Sequence, residues 1–237
     1  MILYFIRHAQ SANNALWLRT GSNVGRSEDP ELTATGQRQI EYLATYLKNW
    51  SQQPEPPDGD TKPIYIDYLY CSLMVRAVRT GTTVSRELNI PLVGWRDLHE
   101  TGGIFLEDAE TGKRVGQQGK TQAYFQQAYP GLSLPEDMNV TGWWNRPYEE
   151  EEEQLARAQR VLQRLLDLHG SKADRVAVVS HGGFFNVFLK NLLGLSIREN
   201  PWFLMNNTGI SRIDIQDNAV TIAYLNRTDH LPPELTT

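Results

Sequence analysis

The sequence predicts a three-layer α/β/α sandwich with a mostly parallel central sheet and a small inserted cap. Two observations carry this reading. Residues 2–6 (ILYFI) and 176–179 (VAVV) are continuous apolar runs bounded by polar residues. They are too short to span a membrane and have the character of strands buried on both faces of a parallel sheet. Between and after them the apolar residues recur at helical spacing, so strands and helices alternate along the chain.

The first run ends abruptly at Arg7-His8. Between residues 33 and 50, Ile40, Leu43, Leu47 and Trp50 mark an amphipathic helix, with Thr33 or Thr35 placed as its cap. The stretch SQQPEPPDGDTKP that follows reads as an exposed loop, not a domain boundary, because the same alternation resumes after it. Residues 65–71 are strand-like, and residues 73–88 form a helix entered through Ser72.

From residue 101 to 148 the periodicity weakens, glycines cluster, and the pair Trp143-Trp144 stands near the end. This segment is read as the cap, inserted in a single domain of residues 1–237, with one short helix around residues 122–129 and the tryptophans either anchoring it or covering an apolar substrate. The acidic run 149–153 opens the next helix as a solvated start, with carboxylates at the positive end of the helix dipole. Leu155, Val161, Leu162, Leu165, Leu166 and Leu168 carry that helix to Gly170. The second apolar run then ends at His181, and Gly182-Gly183 allow a tight turn into FFNVFLKNLLG, whose free amides would point at the same crevice. Residues 208–225 alternate as two strands joined at Gln216-Asp217-Asn218.

With 40% hydrophobic and 22% charged residues, the composition is that of an ordinary globular protein. A net charge of -5 speaks against a general nucleic-acid binder, which needs a basic face for phosphates. The single Cys71 excludes an internal disulfide and fits a core position. The apolar start is too short for a signal peptide, so a cytoplasmic protein with no membrane partner is expected. Oligomeric state is not legible.

Two histidines far apart in sequence each follow a buried strand, and a parallel sheet can bring both to one edge, where ligands bind in such folds. His8 beside Arg7, with His181 and with Arg76 on a strand-to-helix turn, suits one task. The cations hold a phosphoryl group while neutral imidazole attacks phosphorus, giving a phosphoramidate that water can cleave. His99, His169 and His230 lack such neighbours and are read as satisfied or surface residues. Arg79 shares a helix with Arg76 and is left a structural or substrate role. Asn13 and Asn14 suit helix capping. GQQGKT at 116–121 fails as a P-loop, because the first glycine would have to stand at Arg114 and no buried strand precedes it. Arg114 or Lys120 could still meet substrate charge from a lid. The chain has no H-x-H or H-E-x-x-H pair, so neither metal nor cofactor is expected.

RHAQSANN, ELTATGQRQ, YCSLMVRAVRT, LHETGG and SHGG, in that order, resemble the histidine phosphatase superfamily, the fold shared with cofactor-dependent phosphoglycerate mutases. The family's signature usually reads Arg-His-Gly-Glu, and here Ala9 and Gln10 take the last two places. The resemblance implies that His8 is the phosphorylated nucleophile. Arg7, Arg76 and His181 would bind the phosphoryl oxygens, with donors from Asn14 and Gly182. Glu100 matches the proton donor for the leaving group, with Glu107 or Asp108 as alternatives. The implied activity is metal-independent hydrolysis of a small phosphorylated substrate, of the histidine acid phosphatase type. Mutase-type phosphoryl transfer and a low-turnover phosphate-binding module are the alternatives.

Overall fold

Strand β1 (Ile2–Arg7) sends Leu3 and Phe5 into one core and Tyr4 and Ile6 into another. A strand buried on both sides in this way requires helices on both faces of its sheet. The computed structural model describes residues 1–52, 65–138, 140–196, 201–216 and 219–237, and shows those helices in place. In chain order the elements after β1 are α1 (Ala12–Thr20), α2 (Ala34–Ser51), β2 (Tyr68–Cys71), α3 (Val75–Leu88) and β3 (Leu92–Gly94). Next come β4 (Phe105–Glu107), β5 (Arg114–Gly116), α4 (Gln122–Ala128) and β6 (Leu132–Ser133). The chain closes with α5 (Glu151–His169), β7 (Arg175–Ser180), α6 (Gly182–Leu192), β8 (Ile210–Gln216) and β9 (Ala219–Arg227).

The central sheet has seven strands in the order β6-β3-β2-β7-β1-β8-β9. The first five run parallel, and β8 and β9 are antiparallel at one edge. Leu43 and Leu47 of α2 with Ala77, Val78 and Val84 of α3 pack on the face that holds Tyr4 and Ile6. Val161 and Leu165 of α5 with Phe184, Phe185 and Phe188 of α6 cover the opposite face. The expected three-layer sandwich with a mostly parallel sheet is the observed fold.

Several local expectations need correction. Strand β2 starts at Tyr68, three residues later than its apolar pattern suggests, and α3 is capped at Met74 without a side-chain bond. Ser72 instead accepts from the Met74 amide and bonds to His181. Glu149 is not part of a solvated helix start. It is 5% exposed and binds the fully buried Arg157 through both carboxylate oxygens at 2.6 and 2.7 Å. Segment 101–148 is only partly an appendage: β4 and β5 form their own hairpin, while β6 joins the main sheet and the buried Trp143 and Trp144 enter the main core.

Helix α1 is absent from the sequence reading because it buries no residue and so carries no apolar stripe. Strands of two or three residues, such as β3 to β6, leave too little period to detect. Residues 53–63 of the proline-rich loop, and Asp217 and Asn218 of the final turn, lie outside the described residues. Among the described residues no helix is long and apolar enough to cross a membrane.

Candidate active site

The parallel pairing of β1 with β7 sets Arg7 opposite Ser180, which brings the residues that follow, His8 and His181, to the same edge. Their ring centroids are 4.9 Å apart. The backbone around His8 is held from several directions. Its amide donates to Ser180, its carbonyl accepts from Asn207 Nδ2 at 2.9 Å, and the next amide, Ala9, donates to Thr80 Oγ1.

The partners of the His8 ring assign its tautomer. Nδ1 lies 2.6 Å from the Ala9 carbonyl oxygen, which only accepts, so Nδ1 carries the proton. Arg76 Nε donates to Nε2 at 3.1 Å, which leaves the lone pair on Nε2. Burial holds the His8 pKa well below the ordinary histidine range, and the neighbouring Arg76 and Arg7 push it further down. The imidazole is therefore neutral at physiological pH. His181 is held low by burial first and by Arg76 second. Its Nε2 lies 2.9 Å from Ser72 Oγ, while its buried Nδ1 has no hydrogen-bond partner among the described residues.

Arg7 donates to the Met205 carbonyl at 2.6 Å, and its Nε is buried without a partner. Burial lowers its pKa to about 10, still high enough to keep the charge at neutral pH. Arg76 is buried on the first turn of α3, with Asp29 at 3.7 Å. Asp29 also accepts from the Val75 amide, and burial raises its pKa to about 7 against the pull of Arg76.

Glu100 joins this group through the amino terminus of α6. Its carboxylate accepts from the amides of Gly183 at 3.2 Å, Phe184 at 2.8 Å and Thr101 at 2.8 Å. A β-carbon on Gly183 would stand 2.5 Å from Glu100 Oε1, so a side chain there would push the carboxylate out of this position. Two of the α6 amides expected to be free for a ligand are thus occupied by Glu100. Gly182 retains its place at the site and lines, with Arg7, Glu100 and Gly183, a cavity of about 500 Å³. His8, Arg76 and His181 are buried and do not line it.

Asn14, expected either to cap a helix or to donate to the phosphoryl group, does the first through its side-chain oxygen. Its Oδ1 accepts from the amide and hydroxyl of Ser11, closing the capping box of α1, and from Asn207. It does not line the cavity. Of the alternative acids, Glu107 lines the cavity and lies 3.6 Å from Arg114, whereas Asp108 is bonded into the β4–β5 turn through Thr111 and Glu110.

The remaining histidines are tied into the scaffold. His99 accepts from Arg146 and lies under Trp144, His169 bridges Asp174 and Tyr70, and His230 bonds Thr208. Arg79 is exposed, and Cys71 is buried with its thiol pKa raised by burial. A larger cavity of about 930 Å³ opens between Glu28-Asp29 and segments 113–120 and 145–147; Arg114 and Lys120, the candidate lid cations, line it, and none of the expected catalytic residues does. Lys120 and the rejected GQQGKT stretch belong to that wall. Among the described residues no group of three or more His, Cys, Asp or Glu is arranged to hold a metal ion.

Sequence reasoning missed Asp29, Thr80 and Asn207, which orient Arg76 and His8, and Arg26, which lines the cavity. Thr80 closes the YCSLMVRAVRT stretch, where nothing marks its role, and the other three have no periodic or motif signal. They reach the site by long-range folding.

The arrangement is a neutral imidazole with its lone pair directed at a guanidinium, backed by a second histidine, a second guanidinium and a carboxylate at a helix start. It is fitted to bind a phosphoryl group and attack it. Comparisons with known proteins agree. A Hydrogenobacter thermophilus protein provisionally assigned as phosphoserine phosphatase 2 is 28% identical over 234 residues, covering 96% of each chain. Among solved structures, phosphoserine phosphatase of Entamoeba histolytica aligns with a TM-score of 0.61 at 20% identity, over 98% of this chain and 99% of its own. The alpha-ribazole phosphatase of Shigella flexneri aligns with a TM-score of 0.62 at 19% identity, over 96% of both chains. These structural likenesses establish the fold. The profile of the histidine phosphatase superfamily, branch 1, matches residues 3–228, nearly the whole chain, and the protein belongs to that superfamily of phosphomonoester hydrolases.

Proposed function

We propose that His8 is the nucleophile of a metal-independent hydrolysis of small phosphomonoesters. The observation that carries this reading is the state of the His8 ring: neutral, with Nδ1 anchored on the Ala9 carbonyl and the Nε2 lone pair in contact with Arg76. Nε2 attacks phosphorus, the P–N bond forms as the ester P–O bond breaks, and the protonated form of Glu100 gives its proton to the departing alkoxide. Arg7, Arg76 and His181 stabilise the charge spread over the equatorial oxygens. In the second half Glu100 takes a proton from water, whose oxygen attacks the phosphohistidine and releases inorganic phosphate and neutral His8. Relatives are named for phosphoserine, a small phosphorylated molecule, and a cavity of about 500 Å³ has room for a substrate of that kind.

Hydrolysis of p-nitrophenyl phosphate with EDTA present, by wild type and His8→Ala, tests the mechanism. Activity that survives the chelator and disappears in the variant is expected, together with acid-labile 32P label on the wild type alone. Activity abolished by EDTA would overturn it, and binding of phosphate esters without any labelled enzyme would mark a binding module. The acid phosphatase type is a statement about pH, and the profile of the same assay decides it.

A further inference from the structure

Arg26 lines the same cavity as Arg7, Glu100 and Gly182, and the phosphoryl chemistry described above does not use it. Its guanidinium carbon lies 4.2 Å from the centre of the Phe105 ring, so one face of the planar group is covered. Its Nε is buried with no hydrogen-bond partner, and among the described residues the guanidinium makes no hydrogen bond or ion pair. This contrasts with every other cation of the cavity. Arg7 is bonded to the Met205 carbonyl, and Arg114 to Tyr148 Oη and Glu107. Taking a guanidinium partly out of water and leaving it unpaired is costly, and a stacked guanidinium keeps its edge donors for a bidentate partner.

We infer that Arg26 binds a carboxylate on the leaving group, so that the preferred substrates are phosphate esters of hydroxyl-bearing carboxylic acids. This rests on the phosphatase reading of the site. The charge count favours a monoanion. Glu107 already offsets Arg114, and Arg7 is committed to the phosphoryl group, which leaves one positive charge at Arg26 for the rest of the substrate. Glu107, in electrostatic reach of Arg26, would oppose a second dianion. The exposed Trp17, Trp202 and Leu204 add apolar surface to the wall, and among the described residues no cation besides Arg7, Arg26 and Arg114 lines it.

Binding measured by calorimetry on His8→Ala protein separates this inference from the question of turnover. The probes are two pairs that differ by a carboxylate, O-phosphoserine against phosphoethanolamine, and 3-phosphoglycerate against glycerol 3-phosphate. Tighter binding of the carboxylate member by at least about 10-fold in one pair is expected, falling to within about 2-fold when Arg26→Met is added. Arg26→Lys, which keeps the charge without the fork, should keep part of the preference. Equal affinities within both pairs, or a preference that survives Arg26→Met, would overturn the inference. Failure of the phosphatase reading shows elsewhere, as absent turnover and absent phosphoenzyme in protein with His8 intact.

Discussion

Arg76 Nε donates to His8 Nε2 at 3.1 Å, so the nitrogen proposed to attack phosphorus is one that a cation already touches. A phosphoryl group must enter between the two, exchanging this bond for contacts of Arg76 with its own oxygens. Arg76→Ala should therefore lower kcat for p-nitrophenyl phosphate by about 100- to 1000-fold, the range seen when a donor to a transition-state oxygen is removed. A loss of only a few-fold would place Arg76 outside the chemistry.

Histidine that must first lose a proton gives a rate that falls as pH drops below 6.5. Burial and two guanidiniums keep His8 neutral well below that value. The pH profile of kcat/KM, corrected for ionisation of the substrate, should show no loss attributable to His8 between pH 7 and 6. A limb that bends near 6.5 and is abolished by no other substitution would contradict this assignment.

Arg157 is fully buried and holds three points at once: Glu149 through two bonds, the Asp97 carbonyl and the His99 carbonyl. The last of these lies next to Glu100. Glu149→Ala leaves an unpaired buried guanidinium and should cost about 3–5 kcal/mol in urea unfolding, with activity reduced through the displaced Glu100 loop. Unchanged stability would show that the pair is solvated in solution.

His230 links folding to acid stability. Burial lowers its pKa from 6.5 to about 4, so between those values the unfolded chain binds a proton that the folded chain does not. Stability falls as pH drops through that window, by up to about 3 kcal/mol from this group. His230→Gln should flatten the dependence between pH 6.5 and 4, measured by denaturant titration at each pH. An equally steep slope in the variant would assign the acid sensitivity to other groups.

The residue runs that form the centre of the sheet were legible because burial on both faces leaves an uninterrupted apolar signature. The same runs named Arg7, His8 and His181, since a strand that ends at a polar pair exposes it at the sheet edge. Arg76 and Glu100 were reached through motif order, and folding brings them to the histidine pair. By contrast, α1 and the strands of two or three residues carry no period to read.

The sequence by itself determined which segments are buried, the layered α/β fold and the residue types gathered at one edge, because these follow from apolar spacing along the chain. Only the tertiary structure decided how each polar group is used. Asn14 closes a helix cap, two α6 amides bind Glu100, Glu149 is buried against Arg157, and Arg26 stands unpaired over Phe105. Glu100 meets amides 83 and 84 residues away, while Asn14 and Glu149 find partners 3 and 8 residues away; in each case packing decides which partner is in reach, and the local residue pattern does not encode it.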